Sequence, residues 1–228
     1  DETSRGLGDV YKRQVLINAE MKTRKFIEDS IGPLEWGSWE DFKLIRERLI
    51  VEDASYEFDV GKLRKKLLLM KIQEQISDPE TANELSEKAF QLFFKERNKV
   101  EFFPYVLDEI EKLAQIYELG CLTNGNADIE MIGIGKFFKF NISSKDVNAN
   151  KPNKNHFQKA VELLGISKEE ILHIGDHKIN DMLGAISYGV KALWFNPDKE
   201  DWDLDDIKKP SEFNSWQGVT EKINNFYS

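Results

Sequence analysis

Two carboxylates, Asp176 and Asp181, stand five residues apart directly after an apolar run, Ile171-Leu172-His173-Ile174, that ends at Gly175. The run has strand length and the glycine closes it, so both acids fall where a strand hands over to a helix. In an open α/β sheet, ligands bind at the carboxyl ends of strands. Two hard oxygen donors held there suit Mg²⁺, which needs one or two carboxylates and keeps several waters. An acidic surface βα loop is the alternative reading of the same residues.

Two further segments carry chemistry if they meet that loop. Thr123-Asn124-Gly125 follows a short apolar run, Leu119 to Leu122. Its hydroxyl and the N–H groups of its glycine turn could line a phosphate, although Thr-Asn-Gly is also a common turn. Lys151-Pro152 precedes an amphipathic stretch, Asn153 to Leu164. Proline suits a first helical turn and holds the residue before it extended, which would project Lys151 at the helix's positive end. A solvated lysine is the plainer reading. Cys121, the single cysteine, lies within apolar sequence and reads as a buried structural thiol.

The elements that must position these residues form an alternating series. Val106–Ile116 has helical spacing, Leu119–Leu122 reads as a buried strand and Phe138–Ile142 as another. The helix at 153–164 stops at Gly165, and Ser167 to Glu170 carries a capping-box pattern. The strand at 171–174 leads to a helix over about 180–188, closed by Gly189, and then to a strand at 191–195. Such alternation with short connections predicts an α/β fold with a parallel sheet covered on both faces. Residues 16–100 show no strand pattern and four helical ones, at about 16–29, 39–49, 58–75 and 81–95. They read as a helical subdomain standing on the α/β core.

A length of 228 residues allows one well-buried domain with an insertion. The net charge of −9 argues against a nucleic-acid footprint. No secretory leader pattern or long apolar stretch is present, and a lone cysteine excludes an internal disulfide, so a cytoplasmic protein without a membrane segment is expected. Oligomeric state is not set by any of these features.

Taken in order, the hydroxyl loop, Lys-Pro and Gly-Asp-x-x-x-x-Asp resemble motifs two, three and four of the haloacid dehalogenase-like hydrolase superfamily. The resemblance runs over about 102–196, and the helical segment is similar to the family's inserted cap. It implies a Rossmann-like parallel sheet sandwiched by helices, an all-helical cap at 15–100 and a core at 101–228. The wording Thr123-Asn-Gly-Asn-Ala127 and His173-Ile-Gly-Asp176 most resembles bacterial flavin mononucleotide and ribitylaminouracil-phosphate phosphatases. By that resemblance the chain is a Mg²⁺-dependent phosphatase of small phosphorylated metabolites, flavin or riboflavin-pathway phosphates among them. Thr123 would bind the transferred phosphoryl group with Asn124 and Gly125, and Lys151 would neutralise nucleophile and phosphate. Thr123, Asn124 and Lys151 thus form the implied catalytic set. Asp176 would coordinate Mg²⁺, and Asp181 would support or complete its shell. His177 departs from the acidic residue often found there and reads as an exposed loop histidine. Trp36, Trp39 and Tyr56 are candidate ring-stacking residues of the cap, cap packing being the plainer reading.

The family's first motif, Asp-x-Asp-x-Thr after an opening strand, has no counterpart here. Asp1-Glu2-Thr3 could mimic only its last three residues, and the polar, basic stretch from Arg5 to Gln14 reads as non-native sequence. Residues 1–14 are therefore expected to be a foreign or disordered leader, and turnover is expected to be negligible without the nucleophile. The other readings are a metal-independent dehalogenase of the same superfamily and a pseudo-enzyme that binds a phosphorylated ligand or a protein.

Overall fold

The computed structural model describes the backbone of residues 7–227 and the side chains of residues 14–225. Residues 1–6 of the expected leader lie outside the described residues; Leu7 onward opens the first helix. The chain divides into two compact units, one of Lys12–Val100 with Gly125–Asp128, the other including Glu101–Asn124 and the chain from Ile129.

The helical unit holds α1 (Leu7–Ile31), α2 (Trp39–Glu52), α3 (Val60–Ile72) and α4 (Pro79–Arg97). Short acceptor side chains start these helices, because the first turn leaves N–H groups without intrahelical partners. Ser38 and Asp41 form a reciprocal capping box on α2. Asp59 accepts the amide of Lys62 at 2.8 Å, and Asp78 that of Thr81 at 2.8 Å, with Pro79 in the first turn of α4. Ile27, Leu68, Ile72, Ala82, Ala89 and Phe90 make the core, and Trp36 packs against it. Leu68, Leu69 and Ile72 of α3 thus serve packing. Trp39 stays half-exposed, stacked on Phe42.

The second unit alternates as the sequence predicts: α5 (Val106–Ala114), β1 (Leu119–Thr123), α6 (Ile129–Ile132), β2 (Phe138–Ser143), α7 (Ser144–Val147), α8 (Asn155–Leu164), β3 (Leu172–Gly175), α9 (Gly184–Tyr188), β4 (Lys191–Phe195), β5 (Ser211–Phe213) and α10 (Val219–Tyr227). Every strand pairing is parallel. Side chains of β4 alternate between faces. Leu193 and Phe195 join Phe213, Val219 and Ile223 in one core; Ala192 and Trp194 join Phe157, Met182 and Ala185 in the other. Both faces are therefore buried, which is why β4 reads as a continuous apolar run.

Two features qualify the expected single sheet and helix. The strands form two sheets among the described residues, β1-β2 and β3-β4-β5, in keeping with the absence of the opening strand that the resemblance puts at the sheet's centre. The expected helix from about Asn180 begins as a π-turn over Lys178–Leu183, and α9 continues it. The segment β5–α10 carries too little periodicity to be read from sequence. It is fixed by a tertiary contact: the buried carboxylate of Glu109 on α5 accepts the amide of Thr220 at 2.8 Å.

Candidate active site

β1 ends at Thr123, and the next residue, Asn124, spends its whole side chain on the backbone of Lys151. Its Oδ1 accepts the Lys151 N–H at 2.7 Å and its Nδ2 donates to the Lys151 carbonyl at 3.0 Å. The hydroxyl of Ser144 donates to the same Oδ1 at 3.4 Å. The side chain of Asn124, expected to contact substrate, is instead a clamp between the β1 loop and the Lys151-Pro152 segment. The peptide between those two residues is cis.

Clamped in this way, Lys151 turns inward and is only 8% exposed, which overturns the solvated reading. Its Nζ donates to Asp181 Oδ1 at 2.5 Å and to the carbonyl of Leu122 on β1 at 2.9 Å. An ammonium has three donors, so one N–H remains for an incoming oxyanion.

Asp181, 6% exposed, sits in the π-turn, a distortion that recurs at functional sites. Its Oδ1 also receives His173 Nε2 at 3.0 Å, and its Oδ2 receives the amide of His177 at 3.1 Å. Both oxygens are thus engaged by protein donors, and the carboxylate holds Lys151 in place. Burial pushes the Asp181 carboxyl up, but the His173 hydrogen bond and the Lys151 charge outweigh it and hold the group well below the usual carboxylate range. The carboxylate lies so close over Gly175 that a Cβ there would collide with it. Glycine is therefore required at that strand end for a steric reason.

The loop between strand and π-turn is held from two sides. Trp194 Nε1 donates to the carbonyl of Asp176 at 3.0 Å. His177 Nδ1 accepts the amides of Ile179 and Asn180, each at 3.1 Å. His177 thereby acts as a helix cap and is half-buried, not the exposed loop residue expected. From α8, fully buried His156 places Nε2 3.2 Å from the Thr123 carbonyl. All three histidines of the chain therefore gather around these loops.

The structure thus brings Asn124, Lys151 and Asp181 into direct contact, with Thr123 and Asp176 beside them at the ends of β1 and β3. Gly125 clusters with the helical unit. His156, His173 and Trp194 were not singled out from the sequence. His173 alone carried a signal, as the polar residue in an apolar strand. Cys121 is half-buried, and burial pushes its thiol up, in keeping with a structural role.

No group of three or more His, Cys, Asp or Glu side chains among the described residues could cage a metal. Mg²⁺ needs only one or two carboxylates besides waters and substrate phosphate, a requirement that Asp176 would meet.

The model of the haloacid dehalogenase-like hydrolase family matches residues 53–195, more than half of the chain. The protein belongs to that family of enzymes. It is 27% identical over 195 residues to the 5-amino-6-(5-phospho-D-ribitylamino)uracil phosphatase YigB of Escherichia coli, covering 84% of this chain and 82% of that protein. It is 29% identical over 140 residues to the phosphoserine phosphatase of Thermus thermophilus, covering 59% of this chain and 55% of that one. Among solved structures, the 2-haloacid dehalogenase of Pseudomonas syringae pv. Tomato superposes with a TM-score of 0.85 at 29% identity, covering 93% of this chain and 92% of that chain. No described helix is long and apolar enough to cross a membrane.

Proposed function

We propose that the chain is a phosphomonoester hydrolase of small phosphorylated metabolites, with Mg²⁺ as cofactor and riboflavin-pathway phosphates within its substrate range. The observation that carries this reading is the buried ammonium of Lys151, oriented by three residues and left with one N–H at the carboxyl end of β1. Phosphoryl transfer spreads negative charge over equatorial oxygens and is accelerated mainly by positioning and preorganised positive charge. In this reading Thr123 and the turn through Asn124 and Gly125 receive the phosphoryl oxygens, and Lys151 neutralises them. Asp176 would hold Mg²⁺, whose chemistry when bound is to offset further charge on the phosphate. The names of YigB and the phosphoserine phosphatase support the substrate class.

A carboxylate nucleophile would form an aspartyl-phosphate that water then hydrolyses. Asp181, the carboxylate beside Lys151, has both oxygens engaged by protein donors, which makes it a weak nucleophile. We therefore expect these 228 residues alone to release little p-nitrophenol from its phosphate. The same chain preceded by a strand ending in Asp-x-Asp-x-Thr should do so in Mg²⁺. Failure of the extended chain, with folding intact, would overturn the phosphatase reading; Mg²⁺-dependent turnover by the present chain would overturn the missing-nucleophile argument. The dehalogenase resemblance favours a second reading. Halide release from 2-chloropropionate by the extended chain, without Mg²⁺, would establish it instead.

A further inference from the structure

His156, in the first turn of α8, is fully buried, and its ring reaches the site through Nε2, 3.2 Å from the carbonyl of Thr123. A carbonyl only accepts, so Nε2 carries the proton. Burial pushes this imidazole down to about 4, so at neutral pH it holds one proton and Nδ1 is left as a bare acceptor. That nitrogen is buried and has no hydrogen-bond partner. An apolar side chain of similar size would fill the same space without the orphaned acceptor, whose burial is unfavourable. Packing therefore does not account for an imidazole at this position; the contact to Thr123 does.

That contact decides where a neighbouring donor points. The peptide between Thr123 and Asn124 is trans, and in a planar trans peptide the C=O and the following N–H point in opposite directions. With the Thr123 carbonyl drawn to His156, the Asn124 N–H faces the other side of β1. Successive residues of an extended strand present their carbonyls to alternate sides. Thr123 belongs to β1, so the other side is the one to which Leu122 turns its carbonyl. Lys151 Nζ sits there, 2.9 Å from that oxygen. The Asn124 N–H makes no hydrogen bond among the described residues. An ammonium and a backbone amide thus face the same side of the end of β1, within one compact unit.

We infer that His156 is a positioning residue of this site: by holding the Thr123 carbonyl it turns the Asn124 N–H to the side of Lys151, so that both donors meet the oxygens of one phosphate group. The inference rests on the phosphatase reading for its ligand.

The test follows the Asn124 amide and the Lys151 ammonium by NMR while the whole chain is titrated with orthophosphate in Mg²⁺, comparing wild type, His156→Leu and His156→Gln. Leucine removes the donor, and glutamine returns an N–H near the place of Nε2. Both signals of the wild type should show saturable shifts. His156→Leu should lose the Asn124 response and roughly tenfold or more in affinity, the size of one hydrogen bond to a charged group. His156→Gln should restore both, which a purely packing role would not allow. Equal affinity and an unchanged Asn124 shift in His156→Leu would overturn the inference and leave the phosphatase reading standing, and so would a glutamine variant as impaired as the leucine one. Should His156→Leu fail to fold, the imidazole ¹⁵N shifts of the wild type decide: a proton on Nε2 supports the inference, and one on Nδ1 overturns it without reference to phosphate. A wild-type Lys151 ammonium that ignores orthophosphate would instead bring down the phosphatase reading, and the inference with it.

Discussion

Replacing Asp181 by Asn tests the buried pair at the heart of the site. The carboxylate accepts three charge-bearing or directed donors: Lys151 Nζ, His173 Nε2 and the His177 amide. Asparagine keeps the shape and one acceptor oxygen; with that oxygen in the Oδ1 place Lys151 and His173 keep an acceptor, but its NH₂ faces the His177 amide and the charge that paired Lys151 is gone. The ionic part of the Lys151 hydrogen bond is worth about 1.5–3 kcal/mol and a buried amide left without an acceptor costs about 1–3 kcal/mol, giving roughly 3–6 kcal/mol. That agrees with the roughly 3–5 kcal/mol observed when one partner of a buried ion pair is removed. Against a total stability of about 5–15 kcal/mol, the variant should be severely weakened. Urea unfolding at pH 7 would show the loss as a lower midpoint at unchanged slope. The depressed carboxyl sets the pH dependence. Its contribution is fully present above the unfolded-state value near 3.9 and is lost as pH falls towards the lower folded-state value. The gap between wild type and variant should therefore be constant from pH 7 to about 5 and narrow below pH 4. A loss under about 1 kcal/mol, the range of an exposed ion pair, would refute the claim that this pair is buried and organising.

Gly175→Ala should cost about 1–3 kcal/mol by overpacking and release Asp181 from its donors. Thermal unfolding together with the line positions of Lys151 in NMR would show both effects, and an unperturbed Lys151 would count against the steric argument. His156 is pushed down to about 4, chiefly by burial. The unfolded state therefore takes up a proton near 6.5 before the folded state does, and stability falls as pH drops from about 6.5 towards 4. His156→Gln should flatten that slope; parallel profiles for both proteins between pH 7 and 5.5 would show that His156 does not control it.

The alternation of strands and helices was legible because each run has its own period and each ends in glycine, proline or a capping side chain. Gly165, Gly189 and the box at Ser167 mark boundaries that the structure keeps. At the site, residue types announced the chemistry but not who holds whom. Asn124 and Asp181 looked like ligand contacts because short polar side chains at strand ends commonly are. Only the fold shows that each also fixes Lys151. His156 sits within an amphipathic helix and Trp194 within an apolar strand, so neither stood apart from packing residues. Their polar atoms matter only because β1 and the Asp176 loop present carbonyls to them.

The central claim is that Lys151 offers a preorganised N–H to a phosphate oxygen. The most direct measurement is the ¹⁵N signal of the Lys151 ammonium during titration with orthophosphate in Mg²⁺. A saturable shift of that one lysine resonance is expected, abolished by Asp176→Asn, which removes the carboxylate proposed to hold the metal. A Lys151 signal that ignores phosphate while other lysines respond would contradict it.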